Sequence, residues 1–214
     1  MKVWDLPTRL FHWFIVLLIG FSWWSAKTGH MDWHYRSGIS ALILLIFRIL
    51  WGFLGSSTAR FSNFLRSPAS VLAYLRRPKE SIHAPGHNPL GGYSVIGMLL
   101  TLSVQIGTGL FAVDIDGIES GPMSYLVSFD QGRVAAAVHH LTFTVLQVLI
   151  VLHLLAIAYY RIRGRRLILP MVTGRDPQLQ AGSHEVKGGS AVRAILALVI
   201  ALLFGWWVSA GAPL

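Results

Sequence analysis

The sequence predicts an all-α membrane protein with five membrane-crossing helices. Three observations carry that prediction. The first is composition: of 214 residues, 54% are hydrophobic and only 13% are charged, eight are Trp, and the mean hydropathy is positive, outside the soluble range. The second is a set of five apolar runs, at 10–27, 35–54, 92–112, 134–159 and 191–209, each of a length that spans a hydrocarbon core of about 30 Å. The runs are continuous rather than alternating, which excludes a closed barrel. The third is the distribution of basic residues among the loops. The sequence shows no internal repeat and no low-complexity tract, and 1–214 reads as one transmembrane domain.

The net charge of +9 is topological and does not mark a nucleic-acid binder. Lys2 and Arg9 flank the N-terminus. The second loop carries Arg60, Arg66, Arg76, Arg77 and Lys79, and the fourth carries Arg161, Arg163, Arg165, Arg166, Arg175 and Lys187. The first and third loops hold Lys27, Arg36 and Arg133, and the third adds Asp114, Asp116, Glu119 and Asp130. The positive-inside rule then places the N-terminus in the cytoplasm and the C-terminus on the other side, with Trp23, Trp24, Trp206 and Trp207 in an aromatic belt at the outer interface. The first run has no small-residue cleavage site and is read as a retained helix. Cysteine is absent, which excludes disulfides, Cys-ligated iron–sulfur clusters and C-x-x-C-H attachment of haem.

Four of the five runs carry a feature beyond apolarity. The first, RLFHWFIVLLIGFSWW, has His12 at its cytoplasmic start. The second begins outside at His34 and contains Arg48 near its cytoplasmic end. In the loop that follows, Ser67 and Pro68 suit the cap and first turn of a short helix through Arg77. Phe64, Leu65, Val71, Leu72 and Leu75 make it either an amphipathic surface helix or a plain polar connector. Gly38, Gly97, Gly107 and Gly109 lie in or near spans two and three, where they allow close approach of a helix or a flat cofactor; ordinary helix packing explains them equally well. The fourth run starts outside at His139 and His140 and carries His153 deeper.

The fourth run decides the chemistry. Fourteen residues turn a helix by about 1400°, roughly 40° short of four turns, so His139 and His153 share a face about 21 Å apart along the axis. His140 lies about 140° from His153 and is left as a hydrogen-bonding or capping residue. His34 begins span two at the depth of His139, and His12 begins span one at the depth of His153. Two bis-histidine sites result, one near each surface. No Asp, Glu or Cys falls in the expected spans to complete a zinc site, and paired imidazoles from facing helices suit haem b iron. Arg48 follows His34 by fourteen positions and needs an anion at the inner depth. A haem propionate would serve; snorkelling to the interface is the other reading. His30, His83, His87 and His184 read as loop residues.

Several segments also carry a resemblance. VWDLPTRLFHW (3–13), WHYRSGISALILLIFRILWG (33–52), STARFSNF (57–64), GHNPLGGYSVIGMLL (86–100), QIGTGLF (105–111), ESGPMSYLVS (119–128), HHLTFTVLQVLIVLH (139–153) and PMVTGR (170–175) together resemble the prokaryotic cytochrome b561 family, which includes the cytochrome b subunits of nickel–iron hydrogenases. The resemblance implies a four-helix transmembrane core holding two haems b, with a fifth helix beside it. It places the axial ligands on His12, His34, His139 and His153, the four residues reached from helical geometry. It further implies a bacterial inner-membrane protein that passes electrons between the quinone pool and a separate periplasmic redox protein, such as a cytochrome c or a hydrogenase subunit. Two other readings stand beside it. A superoxide:quinone oxidoreductase would work at the outer haem, but the acidic third loop disfavours an anionic substrate. A haem-free transporter would use the intramembrane histidines as a proton relay.

Overall fold

The computed structural model describes residues 1–76, 86–116, 118–179 and 187–212; His83, His184, Arg77 and Lys79 lie outside these. The described chain is helical throughout: α1 (Leu6–Lys27), α2 (Met31–Leu54), the short α3 (Phe61–Phe64), α4 (Pro68–Arg76), α5 (Pro89–Phe111), a 3-10 turn (Ser124–Leu126), α6 (Phe129–Ile162), α7 (Ile168–Thr173) and α8 (Ala191–Ser209). Five of these, α1, α2, α5, α6 and α8, are long and apolar enough to cross a membrane, and they cover the five runs read from the sequence. The protein is therefore an all-α, multi-pass membrane protein. Large apolar side chains such as Leu141, Val148, Leu155, Leu196 and Leu203 stay exposed on α6 and α8, as lipid-facing positions do.

Where the helices outrun the apolar runs, local chemistry accounts for it. α1 starts at Leu6, four residues early, because Asp5 caps it: the Thr8 amide donates to Asp5 Oδ1 at 2.8 Å. Pro7 supplies a residue without an amide in the first turn, where none is needed. α6 extends to Phe129 and Ile162, so Asp130 lies within a spanning helix, as Asp32 does in α2. The expectation of spans free of carboxylates is corrected to that extent. Both acids occupy first turns, where the helix dipole favours negative charge.

The helices pack as two compact units. One comprises Met1–Phe11, Arg48–Gly97 and Leu149–Leu196. Its core contains Val3, Trp4, Trp51, Ala59, Phe64 and Tyr74, with Asp5, Arg48, Arg165 and Asp176 buried among them. Gly52 lets Phe61 lie directly on α2, since a Cβ there would overlap the Phe61 ring. The N-terminal strand of chain is tied to the α7 segment. Val3 N donates to Gly174 O at 2.8 Å, Asp176 pairs with Arg165 at 3.2 Å, and Gly174 takes a φ of 80° at the end of α7. α4 buries Tyr74 and leaves Leu72 exposed, and with the start of α5 it lines an apolar cavity of about 360 Å³ bounded by Pro68, Val71, Leu72, Leu90 and Tyr93.

The other unit comprises His12–Phe47, Met98–Val148 and Ala197–Leu214. Its core includes Ala41, Leu42, Leu45, Leu102, Ile106 and Leu146. α8 contributes a buried stripe of small residues, Ala197, Ala201 and Gly205, ending at Val208. Gly205 sits so close to Ile43 of α2 that a Cβ would overlap that side chain, the close backbone approach that small residues permit in membranes. The glycines singled out from the sequence behave differently. A Cβ added at Gly38, Gly97 or Gly107 would meet no atom within 4 Å, whereas one at Gly109 would press on the His139 ring at 2.9 Å. Of these four, only Gly109 serves a close contact among the described residues.

Candidate functional site

His34 and His139 meet in the second unit. His34 lies in the second turn of α2, and its Nδ1 is 2.9 Å from Ser22 O and 3.0 Å from Ser22 Oγ of α1. His139 projects from α6 with Nδ1 2.8 Å from Gln105 O of α5. A ring nitrogen against a carbonyl must carry the proton, so each Nδ1 donates and each Nε2 keeps its lone pair. Gln105 reports that state directly, because its amide Nε2 approaches His139 Nε2 at 3.0 Å and can only donate there. Thr142 Oγ1 in turn donates to Gln105 Oε1 at 2.5 Å and fixes the amide's orientation.

The two rings stand 6.1 Å apart, centre to centre, with planes at 86°. Metal–imidazole bonds of about 2.0–2.1 Å place two opposed nitrogens about 4 Å apart and their ring centres about 6 Å apart. In this structure the His139 Nε2 lone pair is met by the Gln105 amide, which a metal on that nitrogen would displace. Tying the second nitrogen of a ligand imidazole to a backbone carbonyl is the usual way to orient it. Among the described residues no three His, Asp or Glu converge as a metal-binding cluster. His34 and His139 are the residues here that could hold a haem iron, each through its Nε2.

The first unit holds a different group. His153 is half-buried on α6. Arg48 is 3% exposed, and its Nη1 donates to Ala59 O at a long 3.4 Å. Its guanidinium lies over the Phe61 and Phe11 rings at 5.2 and 6.0 Å, which rules out snorkelling to a wet interface. Asp5 is close enough to act on Arg48 through its charge. Its oxygens, however, already accept from Thr8 N at 2.8 Å and from Trp51 Nε1 at 3.0 Å.

His87 joins this group, which corrects its reading as an ordinary loop residue. Its ring is wedged between Trp4 and Phe64, each 4.7 Å away centre to centre. Burial, then the charges of Arg48 and His153, push the imidazole down to about 3. No local pattern around residue 87 marks this, because the packing residues come from positions 4 and 64.

The remaining histidines are placed as follows. His12 is half-buried on α1, its ring edge-on to Trp13 at 4.9 Å. His140 is exposed beside His139. His30 precedes α2, with its carbonyl accepting from His34 N at 3.1 Å. Sequence reasoning also missed Asp5, Ser22 and Gln105. An Asp two residues before a Pro at the head of an apolar run was the available sign of the cap, and a lone Gln inside an apolar run was the sign of an intramembrane hydrogen bond.

The family model for prokaryotic cytochrome b561 matches residues 3–174, well over half of the chain. No curated protein and no solved structure matches it.

Proposed function

The chain belongs to the prokaryotic cytochrome b561 family, whose members are transmembrane haem b electron carriers, and on that premise we propose a specific wiring for it. Two haems b are held by His34 with His139 and by His12 with His153. Electrons pass between a periplasmic redox protein, a cytochrome c or hydrogenase-like subunit, and the quinone pool of a bacterial inner membrane. The N-terminus is cytoplasmic and the C-terminus periplasmic, a reading supported by the basic residues of the second and fourth loops.

The observation that carries this reading is the His34–His139 pair, with both Nδ1 atoms committed to carbonyls and the rings 6.1 Å apart. The haem supplies a one-electron iron couple. The chain's own residues do the rest. His34 and His139 would hold the iron from the protein side, and the bound group would serve electron exchange. The carbonyls of Ser22 and Gln105 hold the imidazoles in one tautomer and make them stronger donors. Arg48 supplies a fixed cation suited to a propionate.

The test is electron passage across a vesicle. Protein reconstituted around trapped ferricyanide, with a reduced quinone in the bilayer and a membrane-impermeant reductant outside in a parallel set, should reduce the trapped oxidant and show low-spin b-type bands. A protein with those bands that moves no electrons in either set would contradict the wiring; a colourless protein would contradict haem binding itself.

A further inference from the structure

We propose that His87 is a positioning residue that, together with Arg48, binds a haem carboxylate. The proposal rests on the electron-carrier reading above and extends it to a residue outside the transmembrane helices.

The turn that carries His87 is built rigidly. Asn88 Oδ1 accepts from Gly91 N at 2.6 Å and caps α5, and Pro89 opens that helix. The Asn88 amide donates to Tyr160 Oη at 2.6 Å and to Tyr74 Oη at 3.2 Å, and those two hydroxyls are in direct contact. His87, one residue before this clamp and wedged between Trp4 and Phe64, has a fixed place and direction.

Its Nδ1 is buried and has no hydrogen-bond partner among the described residues. A buried polar nitrogen left in that state is costly, and it marks where a ligand atom belongs. Arg48 beside it has a matching deficit. Its guanidinium makes one long hydrogen bond, and Asp5, whose charge acts on it, already accepts from Thr8 and Trp51. A neutral carbonyl would satisfy His87 alone; a carboxylate can accept from the imidazole and the guanidinium together. The imidazole stays neutral because burial and Arg48 hold its proton affinity down, so it donates one N–H without adding a second charge. One cation, one neutral donor and one carboxylate make a balanced set, and the propionates are the carboxylates that a haem brings.

The experiment is a redox titration, with haem content and low-temperature spin state, on full-length His87→Phe and His87→Gln. Phe keeps a ring between Trp4 and Phe64 and removes the donor; Gln restores a donor. With His87→Phe, both haems stay bound and low-spin, and one midpoint potential falls, because a less compensated carboxylate favours ferric iron. The expected shift is three- to tenfold in the ferric–ferrous equilibrium, tenfold being about 59 mV for one electron. The other haem is unmoved, and His87→Gln recovers most of the shift. Unchanged potentials in His87→Phe would overturn the proposal. So would loss of one haem or a change to high-spin iron, which would make His87 an axial ligand instead. Haem in the wild-type protein is measured first, so a wild type without haem refutes the electron-carrier reading, while a two-haem wild type with an indifferent His87→Phe refutes this proposal alone.

Discussion

The His34–His139 region and the Arg48–His87–His153 region treat their histidines in opposite ways. In the first, every imidazole nitrogen with a described partner faces an uncharged group, and backbone carbonyls set the protonation. In the second, His87 lies within reach of a buried guanidinium, and its Nδ1 has no hydrogen-bond partner among the described residues. The lesson is electrostatic. A cation near an iron favours the reduced, less positive form, and in a dry site its effect is weakly screened. On the proposed assignment, a haem whose carboxylate meets Arg48 should therefore titrate at a higher potential than one held by His34 and His139, although both would have the same kind of ligands.

The largest way to break that comparison is to remove a ligand. His139→Ala should halve the haem b content and abolish the lower-potential component, leaving the other unchanged; the pyridine haemochrome assay reads this. Next in size is Arg48→Gln. It should lower the potential of the His153 haem by about 60 mV or more, a tenfold change in its equilibrium, and bring the two haems together in the titration. If the two potentials stay as far apart as in wild type, Arg48 is not the source of the asymmetry.

Trp51→Phe probes the frame of the cationic region. It removes the donor to Asp5 Oδ2 and should cost about 1–3 kcal/mol, read as a lower unfolding temperature in detergent. The acid limb of stability offers a related check. His87 has a folded value near 3 against an ordinary one of about 6.5. Its contribution is therefore complete above about pH 6.5 and is lost as the pH falls toward 3, because the unfolded chain takes up the proton first. Thermal scans from pH 7 to pH 4 should show a steeper loss for wild type than for His87→Gln. The smallest effect belongs to Gly109→Ala, whose added methyl would press on the His139 ring. It should shift the spectrum and potential of one haem slightly without losing it.

The five spans were legible because each is an unbroken apolar run, and bilayer thickness alone sets a minimum length. Their ends were less so. Leu6 begins α1 because Asp5 caps it, and α6 runs on to Phe129 and Ile162, beyond the apolar stretch, where hydropathy gives no signal. His34 and His139 could be paired from helical phase and depth. Gln105 could not, since its role depends on α5 and α6 lying side by side. His87 was the least legible, because its surroundings come from residues 4, 48 and 64, and a Gly-His-Asn-Pro turn looks like any solvated loop. Periodicity finds residues that share a helix face; it does not find a loop residue that tertiary packing has buried.

The most direct measurement is the haem b content per chain of the purified wild-type protein, with its reduced-minus-oxidised spectrum. The account predicts two low-spin haems b per chain, resolved as two potentials. One haem or none per chain would contradict it.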